Sequence, residues 1–391
     1  MKINSSSVVI GFIIGLLVGT TLGWFIHPAG QPPGVTLKTA GSTTVFPLSV
    51  AWSNHYYSST QGEVKVEAST GGTGFGLAST VLGSVDFGAA SSYKDPVDYG
   101  AATNDQIKTI PIAADAIAVV CNPLVNGTGE MQLTREHLIP IFQGAITTWE
   151  DLEAQFGLTV AATGTIQVYV RSDASGTTAT YTKWLGNGEY STYNWTLGDD
   201  ELINWPSLDS VHAIEGNPGV SNGVLGDSNG IGYVSFAFLE NLAAVTLYNE
   251  GNDEWIIPSP EAAKLAIPNP ITDLGDSLFD SSVPGAYPVA RLIFYLVNTE
   301  PPLSSFLRTQ YNISPPYGVR AEAVTFLEWA LSATGGQSLP IIREEVGYLE
   351  ITNTGAELYA LEQIVDLEPF VQPVSVLIFQ LIILVQNVEK S

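Results

Sequence analysis

The sequence predicts an α/β protein whose largely parallel sheets are divided between two lobes. Alternating apolar runs at residues 35–40, 63–68 and 166–170 each lead through a turn of small residues into a helical pattern. Strands that alternate with helices in this way favour parallel sheets. Residues 110–121 form a longer apolar run, typical of a central strand that crosses between lobes. A similar run at 292–297 is expected to return the chain to the first lobe.

Length and charge restrict the classes of function. The 391 residues are enough for two or three domains, and 45% of them are hydrophobic. The chain carries 39 acidic and 14 basic residues, a net charge of −25. This argues against nucleic acid as a partner, because binding a phosphate backbone requires a basic surface. Any anion site must therefore be local and built from aimed dipoles.

The N-terminus has the pattern of a membrane segment. Residues 8–26 are apolar and uncharged, and about 20 such residues span a bilayer as a helix. We expect residues 1–27 to be an uncleaved anchor in the cell membrane, with the bulk of the chain on the extracellular side; the alternative is a cleaved signal peptide. Residues 28–35, rich in proline and glycine, are predicted to be a linker.

Each of the three predicted strand-to-helix corners is rich in small and hydroxyl residues. The first turn of a helix has amide groups without intrahelical acceptors and carries a partial positive charge, so it suits an anion. In the corner after residue 170, Arg171 offers a guanidinium that can hold two oxygens, and Asp173 can brace it. The simpler alternative is that the hydroxyls only cap helices.

Other patterns do not indicate chemistry. The glycines at 72, 74 and 76 lack the spacing of a dinucleotide-binding loop. Residues 226–230 match the string of a nucleophile elbow, but the serine precedes a strand, so we expect a turn. The four histidines have no metal-ligand spacing, and Cys121 has no partner for a disulfide. We therefore expect no catalytic residues, no metal and no cofactor.

Residues 352–391 are predicted to be a C-terminal extension. Within it, residues 374–385 are nearly all apolar, but they are too few to span a bilayer as one helix. They either pack on their own domain or are offered to another subunit or to the membrane surface.

Several stretches together resemble a known family, the phosphate-binding proteins of ATP-driven phosphate importers. The resemblance runs in family order across about residues 36–351, and its most specific parts are the corners at 40–47 and 171–177. It implies the two-lobed, periplasmic-binding-protein-like (type II) fold. The supporting stretches are residues 72–77, 85–89, 216–220, 230–234 and 287–291.

The resemblance also implies the lobes and the ligands. Lobe 1 would comprise residues 36–117 and 288–351, and lobe 2 residues 118–287. Several family members carry an aspartate at the position of Ser91, where it accepts the proton of the bound anion. Serine there leaves open the choice between phosphate and another tetrahedral oxyanion. The residues implied to bind phosphate are Ser42, Thr43, Thr44, Val45, Thr73, Ser91, Arg171, Ser175, Gly176 and Thr177, with Asp173 supporting Arg171.

The expected function is that of an extracytoplasmic solute-binding protein without enzymatic activity. It would capture inorganic phosphate between its lobes and deliver it to the membrane subunits of an ABC transporter. The alternative is an exterior structural protein that retains the fold and self-associates through its C-terminal extension.

Overall fold

The computed structural model describes residues 34–127, 129–271, 274, 278–300 and 319–367. The predicted anchor at 1–27, most of the linker and the apolar segment at 374–385 lie outside the described residues. Among the residues that are described, no helix is long and apolar enough to cross a membrane.

The elements alternate between strands and helices along most of the chain, as predicted. The strands are β1 (Val35–Gly41), β2 (Val64–Thr70), β3 (Phe87–Ala90), β4 (Ile107–Cys121), β5 (Gln132–Leu133), β6 (Gln167–Arg171), β7 (Val211–Ile214), β8 (Gly230–Ser235), β9 (Ala243–Ala244), β10 (Thr246–Asn249), β11 (Glu254–Ile256) and β12 (Ala290–Asn298). The helices are α1 (Phe46–Ser59), α2 (Thr73–Val81), α3 (Pro123–Asn126), α4 (Arg135–Phe142), α5 (Trp149–Phe156), α6 (Gly176–Leu185), α7 (Gly216–Gly226), α8 (Pro260–Leu265), α9 (Ala321–Leu331) and α10 (Gly355–Val365). The segment between α7 and β8 is a turn, as expected for residues 226–230.

Strand β4 joins the two halves of the main sheet, whose order is β2-β1-β3-β12-β4-β8-β6-β7. Its first part pairs antiparallel with β12, and its last five residues pair antiparallel with β8. On either side of these crossing strands the pairs are parallel: β1 with β2 and β3, and β6 with β7 and β8. The predicted α/β architecture with two lobes is therefore confirmed, with antiparallel strands at the crossing.

Each lobe has its own hydrophobic core, and β4 contributes to both. Ile112 belongs to the core of lobe 1, with Trp52, Tyr295 and Phe326. Ile117, five residues further along the same strand, belongs to the core of lobe 2. The run at residues 110–121 does not alternate between apolar and polar residues, because β4 is buried along nearly its whole length.

The described part of the predicted C-terminal extension packs on lobe 1. Helix α10 places Ala356, Ala360 and Ile364 in the core of that lobe. Its opposite face exposes Leu358 and Val365. The beginning of the extension therefore lies against the first lobe.

Trp52 offers a test of the lobe 1 core. Its side chain is fully buried, packs edge-on against Tyr295 and Phe326, and donates a hydrogen bond to the Gly336 carbonyl over 2.9 Å. We expect Trp52→Ala to lower the free energy of unfolding by roughly 3–5 kcal/mol in urea titrations followed by circular dichroism. The control is Trp255→Ala, since that side chain is 41% exposed. Equal losses in the two variants would contradict this account of the core.

Candidate functional site

Among the described residues, four helices begin at the boundary between the lobes. Lobe 1 supplies the starts of α1 and α2, and lobe 2 supplies those of α6 and α7. The lobes touch here, because the Gly74 amide donates to the Ala174 carbonyl over 3.3 Å. Each helix start carries partial positive charge, so the region favours an anion despite the net charge of −25.

In lobe 1, three buried hydroxyls that follow different strands form one connected group. Ser42 comes after β1, Thr73 opens α2 after β2, and Ser91 comes after β3. Ser42 Oγ donates to Ser91 Oγ over 2.9 Å, and Thr73 Oγ1 lies 3.2 Å from Ser91 Oγ. The Thr44 amide donates to Ser42 Oγ over 3.2 Å. The parallel strands β1, β2 and β3 end at one edge of the sheet, which is why residues so far apart in sequence meet.

The start of α6 in lobe 2 meets this group directly. Thr177 Oγ1 lies 3.3 Å from Thr44 Oγ1. A Cβ atom at Gly176 would lie 2.7 Å from the carbonyl carbon of Ser91, so the close approach requires glycine. Ser175 is the N-cap of α6, and its Oγ accepts from the Thr178 amide over 3.2 Å. These three predicted residues thus lie at the boundary between the lobes.

The buried Arg171 and the partly buried Asp173 form an ion pair beside the helix starts. Arg171 Nε donates to Asp173 Oδ1 over 2.7 Å, and its Nη2 contacts Asp173 Oδ2. Asp173 Oδ1 also accepts from the amide of Gly216, the first residue of α7, over 3.0 Å. Burial by itself raises the pKa of Asp173, but the hydrogen bonds and charge of Arg171, with the Gly216 amide, hold that pKa below its ordinary value. The aspartate braces the arginine, as the sequence suggested.

The two remaining predicted residues, Thr43 and Val45, lie at the start of α1. Thr43 Oγ1 accepts from Asn217 Nδ2 over 3.1 Å. Val45 is the N-cap of α1, and its side chain is buried in the core of lobe 1. All the predicted residues therefore lie at or beside the four helix starts.

Sequence reasoning missed a second buried ion pair, between Arg291 on β12 and Asp115 on β4. The two residues are directly opposite in the antiparallel ladder, and Arg291 Nε lies 2.9 Å from Asp115 Oδ2. Arg291 Nη1 donates to the Ser91 carbonyl over 2.9 Å, and Nη2 lies 3.1 Å from Thr44 Oγ1 and 3.2 Å from Thr177 Oγ1. Burial raises the pKa of Asp115, and Arg291 offsets part of that rise. Arg291 therefore contacts hydroxyls of both lobes.

A signal for this pair was present in the sequence. Asp115 and Arg291 each interrupt an otherwise apolar run. A charge in a buried strand is costly unless it is paired, so opposite charges in two central strands indicate an ion pair between them.

Asn217, at the start of α7, was also missed. Its side chain is fully buried and donates to Thr43 and Thr44 of the other lobe, over 3.1 and 3.0 Å. Asn217 lies in the stretch 216–220 that supports the family resemblance, but its place in the first turn of a helix does not indicate a contact with the other lobe.

The fold and the candidate site together define the class of protein, a two-lobed α/β binding protein. Residues 27–334 match the family model described as the PBP superfamily domain. The match covers well over half of the chain, and the chain belongs to this superfamily.

Individual relatives agree with that assignment. The chain is 28% identical over 277 residues to the phosphate-binding protein PstS of Xylella fastidiosa, covering 69% of this chain and 73% of the relative. It is also 28% identical over 287 residues to the phosphate-binding protein PstS of Methanocaldococcus jannaschii, covering 68% and 73%. The predicted resemblance to the phosphate-binding proteins is confirmed.

Solved structures share the fold. A putative phosphate ABC transporter substrate-binding protein with bound phosphate from Clostridium perfringens aligns with a TM-score of 0.55 at 20% identity, covering 81% of this chain and all of that one. An ABC-type phosphate transport receptor from Vibrio cholerae aligns with a TM-score of 0.51 at 17% identity, again covering 81% and 100%. At these identities the likeness concerns the fold alone.

The lowered pKa of Asp173 has a consequence for acid stability. A carboxyl with a depressed folded-state pKa stabilises the protein above its unfolded-state pKa of about 3.9, and this contribution is lost as the pH falls through the folded value. We expect Asp173→Asn to lower the free energy of unfolding by roughly 1–3 kcal/mol near neutral pH. The difference from the native protein should shrink below about pH 4 in urea titrations.

The exposed Asp209 provides the control for this measurement. Asp209→Asn should leave the free energy of unfolding unchanged at both pH values. A difference between Asp173→Asn and the native protein that persists unaltered at low pH would show that Asp173 is not held ionised by Arg171.

Proposed function

We propose that this protein captures inorganic phosphate between its two lobes and delivers it to the membrane subunits of an ABC importer. The observation that carries the proposal is that four helix starts and two buried arginines lie together along the boundary between the lobes. The relatives named PstS support phosphate as the ligand.

In this proposal the protein binds the anion through amide and hydroxyl hydrogens and through one guanidinium. Hydrogen bonds to a charged group contribute roughly 1.5–3 kcal/mol each. Five or more of them, less the costs of association and lobe closure, leave about −8 kcal/mol, or micromolar affinity. We assign the binding to Ser42, Thr43, Thr44, Val45, Thr73 and Ser91 of lobe 1 and to Arg171, Ser175, Gly176 and Thr177 of lobe 2, with Asp173 holding Arg171.

The boundaries of the lobes are part of the same proposal. Lobe 1 comprises residues 36–117 and 288–351, and lobe 2 comprises residues 118–287, in a type II arrangement.

The proposal also includes the placement at the membrane. Residues 1–27 anchor the chain in the cell membrane, and the lobes lie on the extracellular side. The uncharged apolar run at 8–26 and the extracytoplasmic role expected of a solute-binding protein support this placement. We infer that the protein is a transport receptor and not an enzyme.

The alternative of an exterior self-assembling protein is less favoured, because the relatives found are phosphate-binding proteins. It predicts association through the apolar residues 374–385. If truncation after residue 367 converted an oligomer to a monomer in sedimentation experiments, and the full chain bound no phosphate, this alternative would replace the transport role.

Isothermal titration of the full chain with phosphate tests the proposal. We expect the native protein to bind phosphate with micromolar or tighter affinity and Arg171→Ala to weaken binding at least about 100-fold, because a two-oxygen contact is lost. Arsenate should resemble phosphate, and a parallel titration with sulfate measures how far Ser91 permits discrimination.

Arg343→Ala is the matched control, since Arg343 pairs with Glu350 and Glu261 rather than with any residue of the site. Its affinity for phosphate should equal that of the native protein. Absence of binding by the native protein would refute the proposed function.

A further inference from the structure

Asn217 lies beneath the hydroxyls of the proposed site, and its orientation is settled by a backbone group. Its side chain is fully buried, and its Oδ1 accepts from the Ser235 amide over 3.0 Å. A backbone N–H group can only donate, so the amide oxygen must face Ser235. The Nδ2 group, with its two hydrogens, must therefore face the site.

Both hydrogens of Asn217 Nδ2 have a threonine oxygen within reach. Thr43 Oγ1 lies 3.1 Å away and Thr44 Oγ1 3.0 Å away. Thr43 Oγ1 is also 3.4 Å from the backbone amide nitrogen of Asn217. A hydroxyl oxygen has two lone pairs and one hydrogen. Thr43 thus accepts twice from Asn217, and its remaining capacity is to donate.

Arg291 completes the same pattern for Thr44 and Thr177. Its Nη2 lies 2.6 Å from Asp115 Oδ2, so one hydrogen faces the carboxylate and the other is shared between the two threonine oxygens. Thr44 accepts from both Asn217 and Arg291, so its own hydrogen can only donate, either to the ligand or to Thr177 Oγ1 3.3 Å away. Thr177 accepts from Arg291, and because both lone pairs of Thr44 Oγ1 are occupied, the hydrogen of Thr177 is left to donate elsewhere.

We propose that Asn217 and Arg291 are positioning residues that make the hydroxyls of Thr43 and Thr177 obligatory donors toward the bound anion. This inference rests on the proposed function. The face of the site formed by these hydroxyls accepts only ionised oxygens, because a ligand O–H group there would meet no acceptor. A protonated oxygen of the ligand must instead face the Ser91 side, and the positioning residues thus determine specificity.

The substitution Asn217→Asp reverses the polarity of this arrangement with little change in shape. One carboxylate oxygen can still accept from Ser235, while the other replaces a donor with an acceptor and draws the hydroxyl hydrogens of Thr43 and Thr44 away from the ligand. We expect the phosphate affinity of the full chain to fall roughly 100-fold at about pH 8, measured by calorimetry. Near pH 5 the loss should be smaller, about tenfold or less, because a protonated carboxyl regains a donor.

The readout is the ratio of the dissociation constants of variant and native protein at the same pH, which removes the ionisation of phosphate itself. Asn249→Asp is the matched control. Asn249 is equally buried, its oxygen accepts from the Gly251 amide over 2.8 Å, and its Nδ2 donates to the carbonyls of Ser281 and Ala286. The variant Asn249→Asp should have a lower melting temperature than the native protein and the same affinity for phosphate.

The outcomes separate this inference from the proposed function. The inference alone is overturned if the native protein binds phosphate and Asn217→Asp binds within about threefold of it. The same holds if Asn217→Asp loses affinity equally at both pH values. Native protein that binds no phosphate overturns both. If Asn217→Asp does not fold, Asn217→Ala takes its place. It should weaken binding about tenfold, and native-like affinity would overturn the inference.

Discussion

Two arginines, one in each lobe and each paired with an aspartate, lie at the boundary between the lobes. The Arg171–Asp173 pair follows β6, and the Arg291–Asp115 pair lies across β12 and β4. Burying charges is costly unless each is paired and its remaining hydrogen-bonding groups are satisfied. Here the carboxylates are satisfied by amides and a hydroxyl, and the second guanidinium is satisfied by threonine oxygens and a carbonyl. A strongly acidic chain can thus hold a local anion site.

The contacts between the lobes are reciprocal. Arg291 of lobe 1 reaches Thr177 of lobe 2, while Asn217 of lobe 2 reaches Thr43 and Thr44 of lobe 1. The same groups therefore belong to the boundary between the lobes and to the proposed binding surface. A ligand that contacts both lobes favours the arrangement in which they are together, to the extent that it binds that arrangement better.

Much of the fold and part of the site could be predicted because their signals are local. The α/β architecture follows from apolar periodicity, and the three corners follow from small residues placed between strand and helix patterns. Arg171 and Asp173 are two residues apart, so their pairing required no knowledge of the tertiary fold. Arg291 lies 176 positions from Asp115 in the sequence, and Asn217 lies 173 positions from Thr44, so no local pattern connects these contacts.

The sequence by itself determined which segments become strands and helices, and which helix starts carry hydroxyls and an arginine, since these depend on neighbouring residues. The tertiary structure decided that the four helix starts meet, because this requires two lobes joined through the crossing strands β4 and β12. It also decided the pairing of Arg291 with Asp115, which depends on the register of β12 against β4. A slip of one residue would turn one of these side chains to the opposite face of the sheet. The direction of the hydroxyl donors likewise depends on how the Ser235 amide orients Asn217, a contact that exists only in the folded protein.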